Sequence, residues 1–307
     1  MMAAMQQPQL RGEIRNHEPL AGYTTWRVGG EARELYRPAD LDDLALFLSQ
    51  LSDTEEIHFI GLGSNLLVRD GGVDGTVILT HGLLGQIEQM DENRIYVEAG
   101  VTSAKLSRFA ARAGLAGAQF LSGIPGTVGG ALTMNAGCFG SEIWPLVESV
   151  QTINRHGVMI TRNAAEYEVG YRSVKWPQDA QDEWFVAATL KLEKGEPEAL
   201  LAENRSLLEK RGASQPTQLP NAGSVFRNPE NNFAARLIES CDLKGHCIGK
   251  ACVSEKHANF IINSGGATAT EIEQLMEYVA AQVEQTHGVK LEREVRVIGQ
   301  PVSGDAL

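Results

Sequence analysis

The chain has 307 residues, 43 % hydrophobic and 21 % charged, with a formal net charge of −12. That length asks for two or three domains, and the composition supplies a sizeable core. The acidic balance without a basic patch argues against a nucleic-acid partner, no apolar run is long enough for a membrane-spanning helix, and Met1–Leu10 has no secretory pattern, so a cytoplasmic protein is expected.

Residues 1–20 read as a disordered or extended start. Asp40 is placed to cap a helix whose Leu41, Leu44, Leu48 and Leu51 follow a 3.6-residue period. Ile57–Ile60 reads as a buried strand running into Gly61-Leu62-Gly63-Ser64-Asn65. Further strands are expected at Thr76–Thr80 and Arg94–Glu98. Thr102 or Ser103 caps a helix with Leu106, Phe109, Ala110 and Ala113 on one face.

Residues 121–140, LSGIPGTVGGALTMNAGCFG, hold six glycines and one proline. That density predicts a loop with a structural or binding task. Strands resume over Val147–Arg162 and Trp184–Leu192. Gly195-Glu196-Pro197 marks a boundary. Pro197 suits the first turn of a helix carrying Leu200, Leu201, Leu207 and Leu208, and the C-terminal domain is expected to start here. A short helix with Phe233, Leu237, Ile238 and Cys241 comes next. Thr268-Ala269-Thr270-Glu271 is a capping box. It opens a helix with Ile272, Leu275, Met276, Val279 and Val283 in register, closed by Gly288. Val289–Ile298 alternates as a final strand, with Lys290, Glu292, Glu294 and Arg296 on its polar face.

Cys138, Cys241, Cys247 and Cys252 form no CxxC pair, and no His lies at finger spacing. No metal site is expected, and the four read as reduced core thiols.

The Gly61–Asn65 loop follows a strand but is not GxGxxG, and no helix pattern follows, so a Rossmann reading fails on context. A Walker loop fails for want of GK[ST]. Glycines mixed with Ser, Thr and Asn nevertheless suit a backbone cradle for a pyrophosphate. Either loop alone reads as well as a set of turns. Two of them, with Arg27-Val28-Gly29-Gly30 upstream, point to a phosphate-bearing cofactor.

TTWRVGG at Thr24–Gly30, GLGSNLLVRDGG at Gly61–Gly72, SGIPGTVGGALTMNAGCFG at Ser122–Gly140, GYRSV at Gly170–Val174, NAGSVFRNP at Asn221–Pro229, HANFIIN at His257–Asn263 and LEREVRVIG at Leu291–Gly299 occur in order. Together they resemble the UDP-N-acetylenolpyruvoylglucosamine reductases over nearly the whole chain. Arg172–Ser224 is short and lacks the extra loop with a substrate-covering Tyr, so the likeness is to the shorter, second type. One departure is Pro220 before NAGS.

The resemblance implies an α+β fold: a two-part FAD-binding region of the vanillyl-alcohol-oxidase type over residues 21–195 (subdomains about 21–80 and 81–195), then a smaller substrate-binding domain over 196–307. It implies noncovalent FAD, NADPH as hydride donor, UDP-N-acetylglucosamine enolpyruvate as substrate and UDP-N-acetylmuramate as product. A monomer is expected. FAD would lie on Gly61, Gly63, Ser64 and Asn65 of the first loop. In the second it would lie on Ser122, Gly123, Ile124, Pro125, Gly126, Thr127, Gly129, Gly130, Asn135, Ala136 and Gly137.

The same resemblance makes Arg172, Ser224 and Glu294 catalytic, with Arg172 and Glu294 flanking the substrate carboxylate and Ser224 giving the proton. Each role is chemically sensible. Hydride addition to an enol ether leaves an enolate-like anion that must be stabilised and protonated. Arg holds a carboxylate in bidentate fashion. A well-placed hydroxyl can protonate so strong a base. Taken alone, Arg172 reads as a surface or ion-pair arginine, Ser224 as a turn serine, and Glu294 as a solvent-facing carboxylate balanced by Arg296 or Lys290.

Tyr171, Arg211, Gln215 and Asn228 are candidates for substrate contacts, and Asn263 is a lesser one. Met134 and Phe139 read equally as flavin neighbours or core, and His257 reads as structural. Two rival readings stay open: an oxidase of the same fold, disfavoured in its tethered form by the lack of His or Cys in Gly61–Gly72, and a flavin-binding protein without activity.

Overall fold

The computed structural model describes residues 9–180 and 182–302. Residues 1–8 of the expected disordered or extended start lie outside the described residues, and Glu13–Pro19 is a strand.

Three units stack along the chain. In the first, strands Glu13–Pro19, Glu31–Arg37, Val73–Leu79 and Ile57–Ile60 lie side by side in that order. The first pair is antiparallel and the rest parallel. Helix α1 (Leu41–Leu48) is capped by Asp40, whose side chain accepts from the Asp43 amide. It buries Leu44, Phe47 and Leu48 against Tyr36 and Ile78. Asp43 is itself buried, accepting from the Tyr36 hydroxyl at 2.6 Å.

The second unit is an antiparallel five-stranded sheet, Met159–Asn163, Val147–Asn154, Glu183–Lys191, Arg94–Glu98, Ile87–Gln89. Helix α2 (Ser103–Arg112), capped by Thr102, buries Leu106, Ala110 and Ala111. The stretch 121–140 contains more than the expected loop: a 3-10 turn over Gln119–Gly123, helix α3 (Val128–Thr133) capped by Thr127, and a small hairpin whose tip is Phe139-Gly140. Its glycines masked the helix, but Val128, Ala131 and Leu132 are buried in the core of this unit. Such burial stabilises what weak propensity would not.

Helix α4 (Pro197–Ser214), expected to open the C-terminal domain, lies on α2 and the 119–123 turn. Asn204, buried, accepts from the Ser107 hydroxyl at 3.0 Å. The third unit begins beyond it, with helix α5 (Ala234–Glu239), a three-stranded antiparallel sheet (Cys247–Ile248, Ala251–Val253, Ile261–Asn263) and helix α6 (Ala269–His287). α6 carries the predicted capping box and ends on Gly288 in the left-handed region, φ 68°. Its Ile272, Leu275, Met276, Val279 and Val283 are buried.

The core of this unit also takes Trp26, Val28 and Leu67 from the first. Trp26 Nε1 donates to Ile261 O at 2.8 Å, and Asn263 Nδ2 donates back to Trp26 O at 2.9 Å. The Thr24–Gly30 segment therefore braces the first glycine loop against the third unit. A Cβ on Gly30 would collide with Asp70 O.

Two expectations are corrected here. The final strand is only Arg296–Ile298, and it pairs in parallel with Leu66–Val68 of the first unit. Residues 289–295 are not strand, so their alternation does not set which side chains face water. Cys247 and Cys252 are not separate core thiols. They stand opposite one another on neighbouring strands and are joined by a disulfide, with Cα atoms 4.1 Å apart. Cys138 and Cys241 are free and half-buried.

Candidate active site

The two glycine loops face each other. Ser64 Oγ donates to Pro125 O at 2.7 Å, and a Cβ on Gly61 would collide with Thr127 Oγ1. Gly63 has φ 59° and its missing Cβ lies against Tyr23 O, so only glycine fits. Among the described residues, the amide N–H groups of Gly63, Ser64, Asn65, Gly126 and Thr127 have no backbone acceptor. Unbonded N–H groups on two facing loops make an anion nest, so the residues present fit a pyrophosphate-bearing cofactor. The Val128 and Gly129 amides are already spent on Val101 O and Ala99 O. Among the second loop's other expected contacts, Ser122 Oγ bonds Gln119 O at 2.7 Å, and buried Ser122 and Gly123 belong to the 3-10 turn. Gly130 lies in α3, and Ile124 and Ala136 pack in the core of the second unit.

Arg172 sits in the two-residue turn between strands Glu168–Gly170 and Ser173–Lys175. Its φ is 51°, a costly conformation for a side-chain-bearing residue. Its guanidinium is fully directed: Nε to Glu294 Oε1 at 3.0 Å, Nη2 to Gly137 O at 2.6 Å and Nη1 to Asn135 O at 3.5 Å. Asn135 is fully buried, also with positive φ (46°), and its amide holds Glu142 at 2.7 Å and Gly170 O at 3.0 Å. One side chain thus joins the end of the second loop to the Arg172 turn.

Glu294 closes the group. Its amide donates to Val225 O at 2.8 Å, placing it beside Ser224, and its carbonyl accepts from Asn65 Nδ2 at 3.1 Å. The Glu294 side chain is 11 % exposed, whereas that of Glu292 is 74 % exposed. The polar-face reading is therefore corrected: the two carboxylates point into different environments. Burial pushes the Glu294 carboxyl above the ordinary value, opposed by the nearby Arg172 charge.

Ser224 follows a turn in which Asn221 Oδ1 accepts from the Gly223 amide at 2.9 Å. Gly223 has φ 76° and faces open space. Among the described residues the Ser224 hydroxyl has no hydrogen-bond partner. Ser224 is half-buried.

Tyr171 is half exposed, with the Arg172 guanidinium carbon 5.1 Å from its ring centre. Both line a cavity of about 750 Å³ together with Phe120, Gly137, Cys138 and Leu192. Burial raises the Cys138 thiol to about 11, so it stays protonated at neutral pH. Arg211 and Gln215 pair at 3.0 Å at the C-terminal end of α4. Burial lowers the Arg211 pKa, opposed by the nearby Cys138.

Asn228 Oδ1 accepts from the Ala234 amide at 3.0 Å at the start of α5. Asn263 Nδ2 is spent on Trp26 O. His257 is structural, its ring against Phe260. Phe139 is 47 % exposed at its hairpin tip and is not core, and Met134 Sδ lies 3.4 Å from Asn65 Nδ2.

Two residues escaped sequence reasoning. Asn259 clamps Phe226 through both its amide groups, Oδ1 accepting at 3.0 Å and Nδ2 donating at 2.8 Å. Arg227 donates from Nη2 to Arg172 O at 3.1 Å. Both lie inside quoted motifs, which was the available signal.

Comparison with known proteins identifies the family of the chain. The family described as UDP-N-acetylenolpyruvoylglucosamine reductase, C-terminal domain, matches residues 215–298, and the FAD binding domain family matches residues 32–162. The UDP-N-acetylenolpyruvoylglucosamine reductase of Methylococcus capsulatus is 54 % identical over 94 % of each chain. That of Thiobacillus denitrificans is 52 % identical over 95 % of this chain and 94 % of its own. The solved UDP-N-acetylenolpyruvylglucosamine reductase from Thermus caldophilus superposes with a TM-score of 0.78 at 33 % identity, covering 94 % of this chain and 99 % of that one.

Proposed function

The chain belongs to the UDP-N-acetylenolpyruvoylglucosamine reductase family, and on its site geometry we propose that Arg172, Ser224 and Glu294 carry the chemistry of an FAD-dependent, NADPH-consuming reductase of UDP-N-acetylglucosamine enolpyruvate. FAD supplies the hydride for the enolpyruvyl carbon when bound, on the nest formed by Gly63, Ser64, Asn65, Gly126 and Thr127. The product is UDP-N-acetylmuramate, a precursor for peptidoglycan.

The observation that carries the reading is the Arg172–Glu294 contact at 3.0 Å beside Ser224. It gathers groups from three distant motifs where the two glycine loops meet. Arg172 keeps its unused Nη hydrogens for the substrate carboxylate, where an anion grows as hydride arrives. Because its other hydrogens are fixed on Gly137 O and Asn135 O, that charge is preorganised. Burial raises the Glu294 carboxyl against the pull of Arg172, and the group is proposed to steady the same carboxylate. Ser224 presents a hydroxyl with no competing partner and delivers the proton to the carbon next to the carboxylate.

Tyr171 lines the 750 Å³ cavity and is proposed to hold the substrate there, with Arg211 and Gln215 of α4 as further proposed substrate contacts. We take the enzyme to act as a monomer. Among the described residues no helix is long and apolar enough to cross a membrane, and we place the enzyme in the cytoplasm.

The test is anaerobic. The purified yellow protein is reduced with NADPH and mixed with UDP-N-acetylglucosamine enolpyruvate. Rapid return of the oxidised absorbance is expected. A protein that stays reduced until air enters has the fold but another substrate.

A further inference from the structure

The Arg172 turn and the Glu294 segment are far apart in sequence, and a further cation stands between them. Arg227 follows Phe226, which pairs with Arg293 in an isolated bridge, and its amide donates to Glu292 O at 2.9 Å. Its backbone is therefore locked to the segment that carries Glu294. Its side chain reaches the other way, donating from Nη2 to the carbonyl of Arg172 at 3.1 Å.

That carbonyl belongs to a residue with φ 51°, a conformation that persists only where its surroundings over-determine it. Glu292, its nearest carboxylate, is 3.7 Å away and exposed, too loose to explain the placement. Arg227 Nε is buried without an acceptor among the described residues.

We propose that Arg227 is a positioning residue for the reduction: it holds the strained Arg172 turn against the Glu294 segment and supplies a second positive charge to the site. The proposal rests on the catalytic roles given above to Arg172 and Glu294. The charged groups facing Glu294 are Arg172 from its turn and Arg227 from the 221–229 segment. Burial raises the Glu294 carboxyl and both cations pull it back. Removing Arg227 therefore raises it further, whichever of its forms the reaction uses.

The experiment compares R227Q, R227M and R227K holoenzymes in the two anaerobic half-reactions across pH. R227Q keeps a donor and loses the charge; R227K keeps the charge and loses the fork. Reduction by NADPH should match the wild type in all three. Reoxidation by UDP-N-acetylglucosamine enolpyruvate should slow about tenfold to a hundredfold in R227Q and R227M, as expected for slight misplacement of a catalytic group. Its pH midpoint should move to higher pH in those two and stay in place in R227K.

In an E294Q background R227Q should move no midpoint. The same displacement there would show that Arg227 acts on a different group and overturns the proposal. Wild-type reoxidation rate and midpoint in R227Q overturn it too. If R227Q and R227M do not hold flavin, R227K decides: slower reoxidation at an unchanged midpoint supports the proposal, and an unchanged rate removes it. Failure of the wild type itself to be reoxidised would instead overturn the underlying reductase reading.

Discussion

Replacing Ser224 by Ala separates chemistry from stability unusually well. The hydroxyl makes no hydrogen bond among the described residues, so its removal breaks none. The change in folding stability should stay within about 0.5 kcal/mol. The loops that fit FAD are built from other residues, so flavin content and reduction by NADPH should be those of the wild type. Loss of a general acid costs about a hundredfold to ten-thousandfold, or roughly 3–5 kcal/mol on the barrier. All of that should appear in reoxidation by the enolpyruvyl substrate, followed by stopped-flow absorbance without oxygen. Equal slowing of both half-reactions, or reoxidation at the wild-type rate, would refute the assignment of Ser224 as proton donor.

Glu294→Gln keeps a carbonyl for Arg172 Nε but removes the titrating group; it should slow reoxidation by at least about a hundredfold and abolish its titration while flavin stays bound, and a variant that simply loses flavin would make Glu294 structural. Gly63→Ala forces a Cβ into the left-handed region and onto Tyr23 O, so the protein should purify folded but with less than one flavin per chain; full occupancy would show that the first loop tolerates displacement. Glu273 is 3 % exposed and accepts from Arg69 at 2.9 and 3.0 Å and Arg293 at 3.1 Å, with its carboxyl held below the ordinary value chiefly by the Arg69 hydrogen bond. A depressed carboxyl contributes stability that is full above the ordinary Glu value and is lost as pH falls through the folded-state value. Glu273→Gln should lower stability at neutral pH by about 3–5 kcal/mol and flatten the acid-side decline in denaturant midpoints; an equally steep decline would assign it to other groups.

The parts of the fold legible in the sequence are those decided within one element. The capping box and apolar period of α6, the Asp40 cap of α1 and the Arg94–Glu98 strand depend on neighbours a turn or a pair away. Helix α3 was hidden because its glycines carry no local helix preference, and burial against the second sheet forms it. The last strand was drawn too long because alternation continues through 289–295, where the partner strand has ended.

In the site, the glycine loops announce themselves by composition. The Arg172–Glu294 pair does not, because its members are 122 positions apart and each alone looks like a surface charge. Arg227 was invisible for the same reason: its purpose lies in a carbonyl 55 positions away.

The pairing of Leu66–Val68 with Arg296–Ile298 has a consequence for synthesis in the cell. Asn65 leaves the ribosome 229 positions before Glu294. At about 5–20 residues per second that gap lasts on the order of 10–50 s. During it the first glycine loop has one flank without its strand partner, and Asp70 has no α6 N-terminus to hold at 2.8 Å. The expected outcome is that flavin loading follows translation of the last strand, so a chain halted before Arg296 should leave the ribosome colourless.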